Sequence, residues 1–359
     1  MVKMIFSLDY EIHGNGDGNP IRLMVDPTER MLDVFDKYGA KLAIMADVAE
    51  ILKFKEYYEK TDVDLFGYSA ISRQLIDAIK RGHDVQLHLH SSYFNAEYRE
   101  NKWQQYWKEY DFASLPIDRM DYMVSTGKEF LEKLLQPINP EYKCIAFRAA
   151  NWSVSPSENI VKTLANNGIL IDTSIFKYGK REGIVSFDYS HAWSEMRPWR
   201  ASLKDICRQD KDGCVYEFPI YSKLKPLMAF LTVERIMRVL DARKHSIAKE
   251  FPQLYIHKKV ENRRNALNVK RLFQNKYPWK ADFNQCTGKQ LINELAIVNK
   301  LNAAEKVPLP FVLIGHSKLF TKLNEIELNK LLEYGKANPG RVGFSTFGEY
   351  DENSLKAIC

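Results

Sequence analysis

The stretch GHDVQLHLH, residues 82–90, alternates polar and aliphatic side chains in the way that a β-strand with one polar face requires. Gln86, His88 and His90 occupy every second position, and aliphatic residues stand between them. Because successive side chains of a strand point to opposite faces, both imidazoles would project from one face near the end of the strand. The pattern predicts a strand over residues 84–88 whose end presents two nitrogen ligands.

A second stretch with the same alternation, SLDYE at residues 7–11, lies near the N-terminus. Ser7, Asp9 and Glu11 share one face, so two carboxylates would project together. If the two strand ends meet in space, they supply nitrogen and oxygen ligands for a divalent metal and leave one carboxylate as a base. This combination favours metal-assisted hydrolysis. The alternative is that the histidines are ordinary hydrogen-bonded residues and that the aspartate only caps a turn.

Size and composition are those of a globular protein, because the 359 residues are 45% hydrophobic and 27% charged. This length accommodates one α/β domain with an insertion, or two domains. No run of 18 or more apolar residues occurs, so no membrane span is predicted. The N-terminus has no signal-peptide pattern, which favours a cytoplasmic location. The five cysteines show no CxxC spacing, and reduced thiols are expected.

Positive charge is concentrated in residues 223–280, which contain 15 Lys and Arg but 4 Asp and Glu, a local net charge of +11. The whole chain carries +6. Such a segment suits a phosphate-bearing or acidic glycan, an anionic membrane surface or nucleic acid. It contains no recognisable nucleic-acid motif, so no nucleic-acid partner is expected. Solvated helix faces explain the same charge equally well.

The order of apolar patterns predicts how the chain is organised. The first 220 residues alternate short apolar runs with helical patterns, which is typical of a parallel sheet or barrel. From 223 to 304 the pattern is helical, basic and strand-poor, and strand character returns at 311–314. We therefore expect a barrel built from residues 1–222 and 305–359, interrupted by a basic helical insertion at 223–304. Two independent domains are less favoured, because the last βαβ unit would then have no sheet of its own.

Five apolar runs each end in an ionisable residue, namely Asp9, His88, Arg148, Asp172 and His316. The carboxyl ends of parallel strands meet at one edge of an α/β fold, where active sites are commonly built. The repetition of this arrangement along the chain indicates a shared cleft.

In this order, the motifs SLDYE, GHDVQLHLH, FRAANWS, IDTS and LIGHS resemble those of the polysaccharide deacetylase family, also called the NodB-homology or carbohydrate esterase family 4 fold. The resemblance spans roughly residues 4–346 and looks most like a divergent branch with DYE and HLH motifs. It implies an α/β fold with a distorted (β/α)7-type barrel. It also implies a hydrolase of non-peptide C–N bonds that uses a divalent metal, with zinc expected.

The resemblance also implies catalytic roles, position by position. Asp9 matches the catalytic base, and Arg148 matches the arginine that holds and orients it. His316 matches the general acid that protonates the leaving group. Asp172 matches the acid that tethers this histidine.

The implied metal ligands are Glu11, His88 and His90. His88 matches the first metal-binding histidine of the family. Glu11 takes the place of the metal-binding acid, because Tyr10 stands where the common motif has its second aspartate. The common motif has histidines four residues apart, but Ser92 stands four residues after His88, so His90 is expected to be the second ligand.

The expected substrate is a carbohydrate, either free or linked to a nucleotide or a lipid. Asn151 and Trp152 closely follow Arg148 and are expected to line the substrate groove. The leading hypothesis is a metal-dependent deacetylase of an N-acetylated sugar or polysaccharide precursor. Two alternatives stay open, which are a metal-independent hydrolase of another amide or ureido bond and a non-catalytic binding protein in polysaccharide assembly.

Overall fold

The computed structural model describes residues 1–244 and 275–359. The strands in chain order are β1 (Val2–Tyr10), β2 (Leu42–Asp47), β3 (Asp84–Leu89), β4 (Glu97–Arg99), β5 (Lys102–Gln104), β6 (Ala146–Ala149), β7 (Ile171–Asp172), β8 (Lys180–Arg181), β9 (Phe187–Asp188), β10 (Trp199–Arg200), β11 (Tyr216–Glu217), β12 (Ser222–Pro226), β13 (Lys276–Lys280), β14 (Leu309–His316) and β15 (Val342–Phe344). The helices are α1 (Asp26–Tyr38), α2 (Val48–Thr61), α3 (Tyr68–Lys80), α4 (Ile117–Leu135), α5 (Glu158–Asn166), α6 (Val233–Lys244), α7 (Gly288–Leu301), α8 (Lys322–Ala337) and α9 (Glu352–Ile358).

One curled sheet organises the described residues. Its strands follow the order β10-β11-β7-β6-β3-β2-β1-β14, and β15 also pairs with β1. All neighbours are parallel except β10 and β11. A parallel bridge between Ile220 and Val312 pairs the chain just after β11 with β14. The two ends of the strand order therefore meet, and the sheet curls towards a closed barrel. The predicted α/β barrel-type fold is confirmed.

The strands are buried on both faces, as parallel strands covered by helices are. Every residue of β14 is buried, and so is nearly all of β1. Each large aliphatic or aromatic side chain buried in this way contributes about 1.5–3 kcal/mol to folding. The helix predicted from residue 26 is α1, which begins at Asp26 with a proline in its first turn and ends before Gly39, whose φ is +66°.

Strand register sets which polar side chains become neighbours. Asp9 lies opposite His316 in the β1–β14 pair, and His88 lies opposite Arg148 in the β3–β6 pair. Because the strands are parallel, all four residues lie towards the same carboxyl edge of the sheet. The cleft expected from the sequence has its side chains at this edge.

The segment expected to be a helical insertion contains strands as well as helices. β12 and β13 form an antiparallel pair in which Ser222 lies opposite Lys280. Beyond this pair, the amide of Phe283 donates to Ile314, and the amide of Ile314 donates to Ala281. Residues 276–283 are thus partly joined to the sheet, because unpaired main-chain groups of β14 find partners there. The predicted helical character holds for α6 and α7, while residues 245–274 lie outside the described residues. The division of the chain into a barrel and an inserted domain stays a prediction.

Across the two described ranges, no helix has both the length and the apolar character needed to span a membrane.

Candidate active site at the carboxyl edge of the sheet

Three predicted metal ligands, Glu11, His88 and His90, come together at the ends of β1 and β3. One ligand atom from each lies within 4.8 Å of the other two, and all three residues are buried. Nε2 of His90 is 2.5 Å from Oε2 of Glu11, and Nε2 of His88 is 3.6 Å from the same oxygen. Two imidazoles and a carboxylate are a common ligand set for a catalytic zinc ion.

The orientation of these side chains fits a cation. Nδ1 of His88 lies 2.8 Å from the carbonyl oxygen of Arg148, and donation to that oxygen leaves the Nε2 lone pair facing Glu11. Oε2 of Glu11 is buried and accepts no hydrogen bond from any described residue, although His90 is so near. Three possible ligand atoms therefore converge within 4.8 Å of one another. These residues fit a divalent metal.

The charges around His88 also favour a positive group at this place. Burial works to lower the pKa of His88, but the carboxylates of Glu11 and Asp9 raise it to about 9. Burial likewise works to raise the pKa of Glu11, yet Lys318 and His90 bring it well below its ordinary value. The carboxylate of Glu11 is therefore ionised and available as a ligand.

Lys318 is a neighbour that the sequence did not point to. Its ammonium donates to Oε1 of Glu11 at 2.8 Å and to the carbonyl oxygen of Ile12 at 2.7 Å. It follows β14 directly in a short 3-10 turn, so chain connectivity brings it to the same edge as His316. Lys318 holds one oxygen of Glu11 and adds a positive charge beside the ligand cluster.

Two further buried carboxyl groups, from Asp47 and Glu50, support the cluster from behind. Oδ1 of Asp47 accepts hydrogen bonds from the amides of His90 and Ala49. Oε2 of Glu50 accepts one from the amide of Ile12. Burial raises the pKa of both carboxyl groups, and neighbouring carboxylates add to this rise in Glu50. Their positions at the start of α2 were missed because a helix N-terminus is an ordinary place for acidic residues.

Asp9 and Arg148 form a buried ion pair beside the cluster. Nη1 of Arg148 donates to Oδ1 of Asp9 at 2.6 Å, and Nη2 donates to Oγ of Ser7 at 2.7 Å. The Nε of Arg148 donates to the carbonyl oxygen of Thr173 at 2.9 Å, which fixes the plane of the guanidinium. Burial alone would raise the pKa of Asp9, but Arg148, His316 and His88 lower it below its ordinary value. Asp9 is therefore held ionised in one orientation, as a base would be.

His316 faces the free oxygen of this aspartate. Its Nε2 is 3.5 Å from Oδ2 of Asp9, and its amide donates to Oδ1 of Asn284 at 2.5 Å. Burial lowers the pKa of His316 to about 4, although Asp9 opposes this shift. The imidazole is consequently neutral near pH 7. Asn284 is a second residue that the sequence did not indicate, because it comes from the segment expected to be an insertion.

The predicted tether between Asp172 and His316 is absent from the geometry of the described residues. Asp172 instead accepts hydrogen bonds from the hydroxyl and the amide of Ser174, and Glu217 lies beside it on β11. Nδ1 of His316 is buried and has no hydrogen-bond partner within the described ranges. The chain after β11 runs between the two strands, since its amides at Phe218 and Tyr221 donate to the carbonyl oxygens of Asp172 and Val312, and Glu217 of β11 is the carboxyl group next to Asp172.

Glu217 and Asp172 share a buried environment in which the positive charge of Arg148 offsets burial only in part. Burial and the adjacent Asp172 carboxylate raise the pKa of Glu217 well above its ordinary value. Burial also raises the pKa of Asp172, against the hydrogen bonds from Glu217 and Ser174. The two carboxyl groups thus raise each other's cost of ionisation, which is the opposite of the situation at Asp9 and Glu11.

The two predicted substrate-binding residues lie just beyond Arg148, in a short turn after β6. Asn151 and Trp152 both have positive φ, at 56° and 57°. The side-chain oxygen of Asn151 accepts hydrogen bonds from Tyr110 and Arg181, so this residue is fixed by its neighbours. The ring of Trp152 is covered by the ammonium of Lys280, 3.5 Å from its centre. Their role in binding substrate stays a prediction.

Lys280 is an additional charged group near the site. Its ammonium also lies 4.3 Å from the centre of the Phe176 ring, and no described carboxylate forms an ion pair with it. Desolvation of this ammonium, together with the positive charge of Arg238, lowers the pKa of Lys280 to about 7. No local pattern in the sequence marks this lysine, which is one of the 15 Lys and Arg in residues 223–280.

No family model matches this chain, and no curated protein matches it. Several solved structures do match this chain. A 4-α-glucanotransferase from Thermococcus litoralis has a TM-score of 0.51 at 13% identity, over 97% of this chain and 40% of that one. A structure described as a polysaccharide deacetylase from Mycobacterium smegmatis has a TM-score of 0.47 at 12% identity, over 99% of this chain and 90% of that one. The PuuE allantoinase has a TM-score of 0.46 at 12% identity, over 99% of this chain and 89% of that one.

At such low identity these likenesses concern the fold alone. The chain spans 40% of the length of the glucanotransferase, whose fold it shares. Fold and site together define an α/β barrel protein with a buried polar centre at the carboxyl edge of its sheet. Sites at this edge recur with many different chemistries, so the reaction has to be argued from the residues.

Proposed function

We propose that this protein is a metal-dependent hydrolase that removes the acetyl group from an N-acetylated sugar or polysaccharide precursor. The observation that carries the proposal is the convergence of Glu11, His88 and His90 next to the Asp9–Arg148 ion pair. Ligands and an oriented base within one buried cluster are the parts that amide hydrolysis requires.

Glu11, His88 and His90 would hold the metal, for which zinc is the expected ion. When bound, a divalent metal supplies a Lewis acid and lowers the pKa of a water molecule to about 7. The distinct contribution of this chain is to keep Asp9 ionised, so that it can accept a proton from water. Arg148 holds Oδ1 of Asp9 and leaves Oδ2 facing the site.

His316 completes the transfer of that proton. Since its pKa is about 4, His316 starts neutral and has to receive a proton before it can act as an acid. Nε2 of His316 lies 3.5 Å from Oδ2 of Asp9, so the proton taken from water can pass from Asp9 to His316 with a small movement. His316 then protonates the leaving nitrogen, and the products are an amine and acetate. Asn284 fixes the main chain of His316 through its amide, while Nδ1 of the imidazole has no partner among the described residues.

The substrate class follows from the surroundings of the cluster. We propose that Asn151 and Trp152 line the sugar-binding groove. A nucleotide- or lipid-linked donor would suit the excess of positive charge in residues 223–280, as would an anionic membrane surface. We propose a cytoplasmic location for the reaction.

Acetate release from N-acetylated oligosaccharides and from nucleotide- or lipid-linked N-acetyl sugars tests the proposal. Zinc-loaded protein should release acetate and leave a free amine on the sugar, and chelation should abolish both. The matched variants are Asp9→Asn and Asp172→Asn, since both aspartates are buried at strand ends. Loss of activity in the first variant alone supports the proposal. Full activity of Asp9→Asn would contradict it.

Lys318 favours a second candidate, which is hydrolysis of another amide or ureido bond without a metal. Its ammonium already neutralises Glu11 at 2.8 Å, in the place where a metal would act as the positive group. A substrate carbonyl could then be polarised by Lys318. Activity that survives exhaustive chelation but is lost in Lys318→Met would establish this candidate, whereas the deacetylase proposal expects the opposite result.

A further inference from the structure

Helix α6 has its polar and apolar faces reversed with respect to an ordinary surface helix. The side chain of Glu234 is buried, and so is that of Thr232 just before the helix. Arg235 donates to the side chain of Gln285, and Arg238 forms an ion pair with the buried Asp282 at 3.0 Å. The charged side of α6 is thus packed against the protein, where the sheet edge offers polar partners.

The opposite side of α6 is apolar and exposed to solvent. Val233, Ile236, Met237 and Leu240 follow the spacing i, i+3, i+4 and i+7, which places them on one face of the helix. Their exposed fractions are 60%, 55%, 56% and 55%. Met228 and Leu231, in the turn before the helix, are exposed by 56% and 61%. We call these six side chains the α6 face.

Such a continuous apolar surface is unusual on a protein that acts alone in water. An ordinary surface helix turns its apolar stripe inward, because burial of that stripe is what stabilises the helix. Here the inward contacts are ion pairs and hydrogen bonds instead. The stabilisation that the α6 face could give is therefore available to a binding partner.

Charge around the α6 face selects among partners. Arg243 and Lys244 end the helix, and the stretch of sequence that contains it, residues 223–280, has a composition with a net charge of +11. Apolar side chains flanked by Lys and Arg are the composition of helices that lie in the headgroup region of anionic bilayers.

We propose that the α6 face docks this protein onto an anionic membrane, with the helix lying parallel to the lipid surface. The apolar side chains would enter the boundary between headgroups and acyl chains, and the flanking cations would contact lipid phosphates.

Docking in this orientation would also place the candidate active site near the lipid headgroups. Arg238 on the inner side of α6 contacts Asp282, and Asn284 two residues later holds the amide of His316. A lipid-linked glycan could then reach the site while its lipid stays in the bilayer. This last step rests on the proposed function, whereas the docking itself does not.

Sedimentation of the full chain with lipid vesicles tests the docking. Vesicles rich in phosphatidylglycerol should carry the protein down, and vesicles of phosphatidylcholine alone should not. Ile236→Asp should weaken binding about tenfold, because it places a charge in the apolar layer. Ile326→Asp on α8 is the matched control, since Ile326 is exposed by 54% against 55% for Ile236. This control should bind as the unmodified protein does.

Three results would overturn the proposal. They are equal binding to both kinds of vesicle, no binding to either, and identical behaviour of Ile236→Asp and Ile326→Asp. Light scattering without lipid adds an independent criterion. A dimer that Ile236→Asp alone dissociates would show that the α6 face binds a second copy. Because each readout is physical association, the outcome does not depend on whether deacetylation is found.

Discussion

Two buried carboxyl clusters at the same edge of the sheet differ in what surrounds them. On the β1 side, Asp9 and Glu11 face Arg148, Lys318 and histidines, and the pKa values of both carboxyl groups are lowered. On the β7 side, Glu217 and Asp172 face each other, and their pKa values are raised.

The difference shows that a strand end is not enough to make a reactive centre. Both clusters lie at carboxyl strand ends and both are buried, yet only the first has cations and imidazoles that keep its carboxylates ionised. In the second, two carboxyl groups on β7 and β11 lie side by side, and burial with their mutual repulsion disfavours their ionisation. Counter-charges therefore separate a candidate base from a structural acid.

The largest expected effect is a difference in kcat between substitutions in the two carboxyl clusters. Asp9→Asn should lower kcat by about 10²–10⁴-fold, because an amide cannot accept the proton from water. Asp172→Asn should change kcat by less than about tenfold, since Asp172 contacts Ser174 and Glu217 rather than His316. Steady-state kinetics on zinc-loaded protein check both. Equal losses in the two variants would mean that both clusters take part in the reaction.

The next effect concerns stability. Arg148→Met leaves Asp9 buried without its counter-ion and should lower the free energy of unfolding by about 3–5 kcal/mol. Lys133→Met removes an exposed ion pair with Glu129 and should cost about 0–1 kcal/mol. Denaturant unfolding curves give both values. A small loss for Arg148→Met would show that Asp9 is protonated in the folded protein, contrary to the lowered pKa of this carboxyl group.

A third comparison uses pH on the β7 side. The pKa of Glu217 is raised in the folded protein, so the folded state binds this proton more tightly than the unfolded state does. The contribution of this proton to the free energy of unfolding is complete below the pKa of an unfolded glutamate. It is lost as the pH rises towards the higher pKa of Glu217 in the folded protein. Relative to Glu217→Gln, the unmodified protein should therefore lose about 1.4 kcal/mol per pH unit above about pH 4.5. Parallel curves of unfolding free energy against pH would refute the assignment.

The smallest effect concerns metal affinity. Lys318 is 2.8 Å from Oε1 of Glu11 and repels a cation bound there. Lys318→Met should therefore tighten zinc binding by about tenfold or more, which corresponds to about 1.4 kcal/mol. Competition with a chromogenic chelator measures the affinity. Unchanged affinity would indicate that Lys318 moves away when the metal binds.

The sequence predicted those parts of the fold and site that depend on local alternation. Patterns that repeat at every second residue predicted the strands β1, β3 and β14. The same patterns predicted that the side chains of Glu11, His88 and His90 point to the same face of the sheet. The tether between Asp172 and His316 came from the resemblance, whereas in this chain Asp172 accepts from Ser174 and lies beside Glu217.

Residues that act through long-range contacts could not be predicted in this way. Lys318, Asn284 and Lys280 reach the site from a turn and from a segment expected to be an insertion. Lys280 stands among many basic residues, so composition hides it. Contacts of this kind depend on how β13 and the following chain join β14, which no local pattern encodes.

The zinc content of the purified protein tests the central claim most directly. After reconstitution and removal of loosely bound metal, the unmodified protein should hold one zinc ion in the Glu11 cluster, and His88→Ala and His90→Ala should each lose it. His191→Ala serves as the control, because His191, Asp205 and Cys207 form a second group at ligand distance and only this variant would disturb it. Retention of zinc in both strand variants, or no zinc in the unmodified protein, would contradict the account.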